Sequence, residues 1–183
     1  MGSVRNLTII LLAMAALGGC APVQTVTVKV PTRGEFLNLR HIIAANPQKK
    51  ACLGYDAASN SCASVITYTV DGDTVTAQET TALLLAGGGG TQYVQTLTRS
   101  TIQDGRACTQ GDGVEVTGRD EMSEFIRDEA RSLYQLYGGS ICASYYRSGD
   151  GYVVNRTGAN GQTVPPGDVH FQFIPGEAQL RAQ

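Results

Sequence analysis

The sequence predicts an α+β fold, an antiparallel β-sheet built as a meander of hairpins. One well-defined amphipathic helix at about 118–137 and a shorter helix at about 33–45 pack it, and two disulfides staple it. Three observations lead there. Short β-branched and aromatic runs alternate with Asp-Gly and Gly-Asp turn signals at close spacing, as hairpins require. One segment places apolar residues three and four apart, the period of a helix with one buried stripe. Glycine is abundant, with 22 residues, and tryptophan is absent, so the chain has many turns and a modest core.

Before the domain comes a leader. Arg5 precedes an apolar run from Leu7 to Leu17, followed by small residues and a cysteine. The run is too short for the roughly 20 residues that span a bilayer, and it is apolar all round, unlike a core helix. That layout predicts a secretory signal peptide over residues 1–19. Leu17-Gly18-Gly19-Cys20 resembles the lipobox of bacterial lipoproteins. The resemblance implies a diacylglycerol on Cys20 and an acylated α-amine, and several chains together anchor stably. Ala21 stands where an Asp tends to retain such proteins at the inner membrane. The resemblance therefore implies the outer membrane, on its periplasmic face. Residues 20–31 form the lipidated N-terminus and its join to the domain. Val26, Val28 and Val30 alternate with polar residues, so this join is either an edge strand or a solvated tether.

The folded part, 32–176, is one domain's worth of chain. Thr32-Arg33-Gly34-Glu35 has capping-box form, with Phe36, Leu39 and Ile43 at helical spacing behind it. Asn46-Pro47 ends that first helix. Strands are predicted at Ala63–Val70, Thr74–Glu79, Tyr93–Ile102, Arg106–Thr109 and Val114–Val116, with turns between them. Leu83–Ala86 reads as buried and Gly87–Gly90 as a flexible loop tip, since no lysine follows for a phosphate loop. The second helix starts from Thr117 as N-cap, with Met122, Phe125, Ile126, Ala130, Leu133 and Tyr137 as its stripe and Gly138-Gly139 as its stop. Asp120, Glu121 and Glu124 suit its dipole rather than acid catalysis. Strands then follow at Ser140–Arg147, Tyr152–Arg156 and Val169–Ile174. Val169, Phe171 and Phe173 face the core, and His170 faces solvent. Residues 177–183 form a frayed polar tail.

Once Cys20 carries lipid, Cys52, Cys62, Cys108 and Cys142 form an even set, which reads as disulfides in an exported chain. Three pairings are open, and the most local is Cys52–Cys62 with Cys108–Cys142. No paired short spacing marks a metal site, and no cofactor motif appears. His41 and His170 belong to no recognisable catalytic constellation, and Gly-x-Ser-x-Gly and His-Glu-x-x-His are absent. The net charge of −2 is spread without a basic patch, which argues against nucleic acid.

The sequence therefore points to a non-enzymatic, lipid-anchored binding or structural/assembly module with an envelope protein partner. Tyr55, Tyr145, Tyr146 and Tyr152 are its candidate binding surface, with sheet-rim packing as the equal alternative for the last three. A periplasmic inhibitor or small-ligand-binding lipoprotein is the second reading, and a carboxylate-dependent hydrolase the third.

Overall fold

The computed structural model describes residues 33–85 and 90–182. The signal peptide, Cys20 and the 20–31 join lie outside the described residues, as does most of the Gly87–Gly90 tip. The described residues contain β1 (Phe36–Leu37), α1 (Leu39–Ala44), β2 (Lys50–Leu53), β3 (Ser61–Cys62), β4 (Ser64–Asp71), β5 (Thr74–Leu84), β6 (Thr91–Gln103) and β7 (Arg106–Gln110). After them come β8 (Val114–Thr117), α2 (Glu121–Leu136), β9 (Ser140–Ser148), β10 (Gly151–Gly158), β11 (Val169–Ile174) and β12 (Gln179–Leu180).

Hydrogen bonding runs from β9 through β10, β11, β2, β4, β5 and β6 to β7, every neighbour antiparallel. β7 then pairs back onto β9, with Ala107 opposite Ala143 and Thr109 opposite Ile141. The meander is thus a closed eight-stranded barrel, and closure removes the open edges that invite pairing with other chains. Two short strands finish the sheet: β1 adds to the far end of β9, and β8 adds to β6 beyond β7.

The tight hairpins were legible. Asp104 and Gly105 both take positive φ, 50° and 81°, the geometry an Asp-Gly turn supplies between twisted strands. These residues, Gly72-Asp73 and Gly149-Asp150 turn the chain at one end of the barrel. α1 lies over that end. The Leu39 amide donates to the Gly105 carbonyl at 3.1 Å, and Arg40 reaches the Gly72 carbonyl and the Asp73 carboxylate. Leu39 and Ile42 are buried and close the barrel floor. An aromatic cluster of Tyr145, Tyr152, Phe171 and Phe173 packs there.

Several expectations are corrected. The first helix is six residues long, not the thirteen from 33 to 45. Asn38 is its cap, accepting from the Arg40 amide. Upstream, Arg33–Leu37 runs extended along β9. A Cβ on Gly34 would sit 2.6 Å from the Arg147 carbonyl oxygen, so this glycine serves close backbone approach rather than a helical turn. Pairing of Phe36 and Leu37 with Tyr146 and Tyr145 overrides the local capping signal.

α2 begins after Asp120, whose carboxylate accepts from the Ser123 amide at 2.9 Å, so Asp120 and not Thr117 is the cap. Of its apolar stripe only Tyr137 is fully buried, with half-buried Leu133 and Tyr134 packed around it, Ile141 and Val164, while Met122, Ile126 and Ala130 are half-buried. Phe125 stays 59% exposed. Leu84, expected to be buried, is 62% exposed, because β5 and β6 run past the barrel rim as a two-stranded extension. The tail is not frayed throughout: Gln179 and Leu180 pair in parallel with Ser61 and Cys62, and Arg181 bonds to Ser61 and Gly54.

Both disulfides are present as the most local pairing, Cys52–Cys62 and Cys108–Cys142. On the outer wall, Asp168 accepts from Arg33 and from Asn155, and the Arg33 guanidinium above all holds its carboxyl below the usual range. A carboxyl depressed in the folded state adds stability above its unfolded pKa of about 3.9 and loses it as pH falls through the lower folded value. Asp168→Asn is therefore expected to lower stability by about 1 kcal/mol at pH 7. The gap from wild type should close below pH 4. Urea midpoints at pH 7 and pH 3 check this, and a gap that is constant with pH would refute it.

Candidate functional site: the barrel lumen

Alternation along the strands sends every second side chain inward. Near the α1 floor these side chains are apolar and fill the barrel. Higher up they leave a cavity of about 380 Å³ that communicates with solvent. Leu39 lies at its base, and Tyr134 of α2 reaches into it from the opposite end. Ile66, Val75, Ala107 and Phe171 give it an apolar lining, and Glu79, Thr98 and Arg156 are polar groups in its wall, with Glu79 directly opposite Ile66 in register. A size of 300–1,000 Å³ with a mostly apolar lining and a few convergent polar groups is the general description of a small-molecule site. Eight strands enclose room for one small ligand when side chains do not fill it.

The charged groups are arranged unusually. Arg156 and Glu79 both line this cavity. They stand on β10 and β5, which lie four strands apart in either direction round the ring, so they occupy opposite walls. Arg156 donates through Nη2 to the Pro165 carbonyl at 3.3 Å. Its Nε is buried with no hydrogen-bond partner among the described residues. A buried donor left unsatisfied costs roughly 1–3 kcal/mol, more for a charged group. Glu79 takes part in none of the ion pairs among the described residues, and accepts a hydrogen bond from the Thr81 hydroxyl at 3.5 Å.

Two tyrosines connect the walls. Burial pushes the Tyr68 phenol well above its ordinary range, and the neighbouring Tyr145 and Glu79 push it the same way. Burial also raises Tyr145, against an opposing pull from Arg156. Both phenols stay protonated at any physiological pH and present neutral hydrogen-bonding groups to the lumen. Tyr134 is raised more mildly by burial, and its hydroxyl meets Thr109, which in turn shares a 2.6 Å hydrogen bond with Ser100.

The tyrosines expected to form one exposed surface are split up. Tyr145 and Tyr152 are each only 7% exposed, because inward alternation puts them in the barrel core. Tyr146 faces outward but is covered by Phe36 and by the Arg33 guanidinium, 5.4 Å from its ring centroid. Tyr55 borders a shallow outer groove with Asp150 and His170, and Tyr152 reaches the groove's edge. His170 is exposed, as expected. Glu79 and Arg156 were not singled out from the sequence. A signal existed: Val75, Ala77 and Glu79 share one strand face, as do Tyr152, Val154 and Arg156, so each charge rides on an otherwise apolar face. Among the described residues no cluster of His, Cys, Asp or Glu could hold a metal ion, and no helix is long and apolar enough to cross a membrane. No family model matches the chain, and no curated protein or solved structure matches it.

Proposed function

We propose that this chain is a small-ligand-binding lipoprotein of the bacterial envelope. Its barrel lumen is the binding site, and Cys20 holds it to the periplasmic face of the outer membrane. The observation that carries the binding reading is the solvent-connected lumen with a buried, unsatisfied Arg156 Nε in its wall. A carboxylate entering the lumen would pair with the Arg156 guanidinium in a low-dielectric setting, where a charge-assisted hydrogen bond is strong. The lipobox resemblance supports the anchor, and the two disulfides fit an oxidising compartment.

Calorimetric titration with 1-naphthylacetate and 3-phenylpropanoate tests the site. Both are expected to bind. Arg156→Gln should weaken them about tenfold, the loss of one charge-assisted hydrogen bond. Ala77→Phe, which fills the lumen, should abolish binding while thermal melts show a folded protein. Undiminished binding to both variants, or no binding to the unaltered chain, overturns the lumen as the site.

A second reading, an assembly module with a protein partner, is favoured by exposed apolar side chains. Phe125, Leu84 and Tyr93 are each about 60% exposed, and Phe125 and Leu85 share one groove. Crosslinking of the anchored chain in intact envelopes tests it. Phe125→Asp should remove a specific adduct, and an adduct pattern unchanged by that substitution argues against the module.

A further inference from the structure

The lumen carries two charges of opposite sign that do not meet. A salt bridge would be the ordinary way to accommodate an arginine and a glutamate in one cavity, because each charge offsets the desolvation of the other. Here Arg156 reaches a backbone carbonyl instead, and Glu79 enters no ion pair among the described residues. Their strands oppose each other across the ring. Between them lie Tyr68 and Tyr145, whose phenols stay neutral, and below them the apolar floor. The site therefore presents an anion-binding wall, a cation-binding wall and an apolar base within about 380 Å³.

We infer that the ligand class is a small zwitterion with an apolar body, of the size of a free amino acid or a dipeptide. Its carboxylate is held by Arg156 and its ammonium by Glu79. The inference rests on the lumen being the binding site, as proposed above. A simple fatty carboxylate fits less well. It leaves Glu79 unpaired beside a newly desolvated chain, and α1 closes the floor with Leu39 and Ile42 against a long acyl tail. A simple amine leaves Arg156 Nε in the same position. Only a ligand bearing both charges satisfies both walls at once. Sites built around buried polar groups reject analogues that leave those groups unpaired.

The experiment compares four probes by calorimetric titration of the full chain. They are phenylalanyl-phenylalanine, its N-acetyl derivative, its C-terminal amide, and 1-naphthylacetate. The free dipeptide is expected to bind at least tenfold more tightly than either blocked form. Glu79→Gln should remove its advantage over the N-acetyl form and strengthen 1-naphthylacetate binding, because no carboxylate is then left unpaired beside that ligand. Arg156→Gln should remove its advantage over the amide. Far-UV circular dichroism of both variants shows whether the barrel is retained, and the within-variant ratio between probes is insensitive to a general loss of fold. If 1-naphthylacetate binds but the free dipeptide is no tighter than its blocked forms, the zwitterion inference falls and the lumen reading stands. If no probe binds, both fall.

Discussion

Replacing Cys108 and Cys142 together by serine is expected to cost about 4 kcal/mol, the chain-entropy value for a loop of this length. The bond joins residues 34 apart in sequence. It spans β7 and β9 in direct register, where the ring of strands closes. Its loop contains β8 and the whole of α2, so without it the unfolded chain gains the freedom of both. The pairs β9–β10, β4–β5 and β6–β7 are joined by tight turns, whereas β11 and β2 are not consecutive in the chain. The β7–β9 seam instead depends on a long connection returning correctly. The same substitution at Cys52 and Cys62 closes a shorter loop and should cost about 3 kcal/mol. A domain's total stability is roughly 5–15 kcal/mol, so loss of the seam bond alone removes a large share. Urea unfolding of the two paired variants gives the measurement. A Cys108→Ser, Cys142→Ser protein with a wild-type midpoint would show that the seam holds without covalent help. Replacing both cysteines together leaves neither member of the pair as an unpaired thiol, which keeps the readout clean.

Local chemistry was legible where a turn or a strand is decided locally. Asp104-Gly105 turns because two consecutive positive φ values favour this pair, and β11 alternates because Val169, Phe171 and Phe173 must share a buried face. What could not be read was closure. Ala107 meets Ala143 across a span that includes a helix, and nothing in either short segment marks the other as its partner. An open meander and a closed barrel carry the same alternation, so the sequence pattern stops at the coarser statement. Closure in turn decides where tyrosines point. Tyr145 and Tyr152 lie inside because a barrel has an interior, and a flat sheet would have offered them a rim.

The same reasoning explains why the lumen was missed. Glu79 and Arg156 are 77 positions apart and share no motif. Each is visible only as a charge on an apolar strand face, and it takes the ring of strands to bring those faces together. The N-terminal helix failed for the opposite reason. Its capping signal at Thr32–Glu35 is sound locally, but the edge of β9 offers the backbone more hydrogen bonds than one turn of helix could. Gly34 alone permits that approach.

The second large effect is expected at the floor. Leu39→Ala should destabilise the barrel by about 3 kcal/mol, within the 2–5 kcal/mol range for buried leucines. Leu39 is 1% exposed and lies both in the core cluster and at the base of the lumen. Truncation removes its transfer free energy and joins the new void to the cavity above, so the site cannot collapse to recover contacts. For a domain of this size the melting temperature should fall by roughly 6–12 °C. The control is Leu84→Ala on the strand extension, 62% exposed, for which a change within about 0.5 kcal/mol is expected. The lumen makes a further demand on the same variant. A deeper cavity should improve binding of 1-naphthylacetate relative to the smaller 3-phenylpropanoate, measured below the variant's melting temperature. Equal stability losses at Leu39 and Leu84 would mean that α1 does not close the barrel. Loss of stability without a shift in ligand size preference would separate the floor's packing role from the cavity.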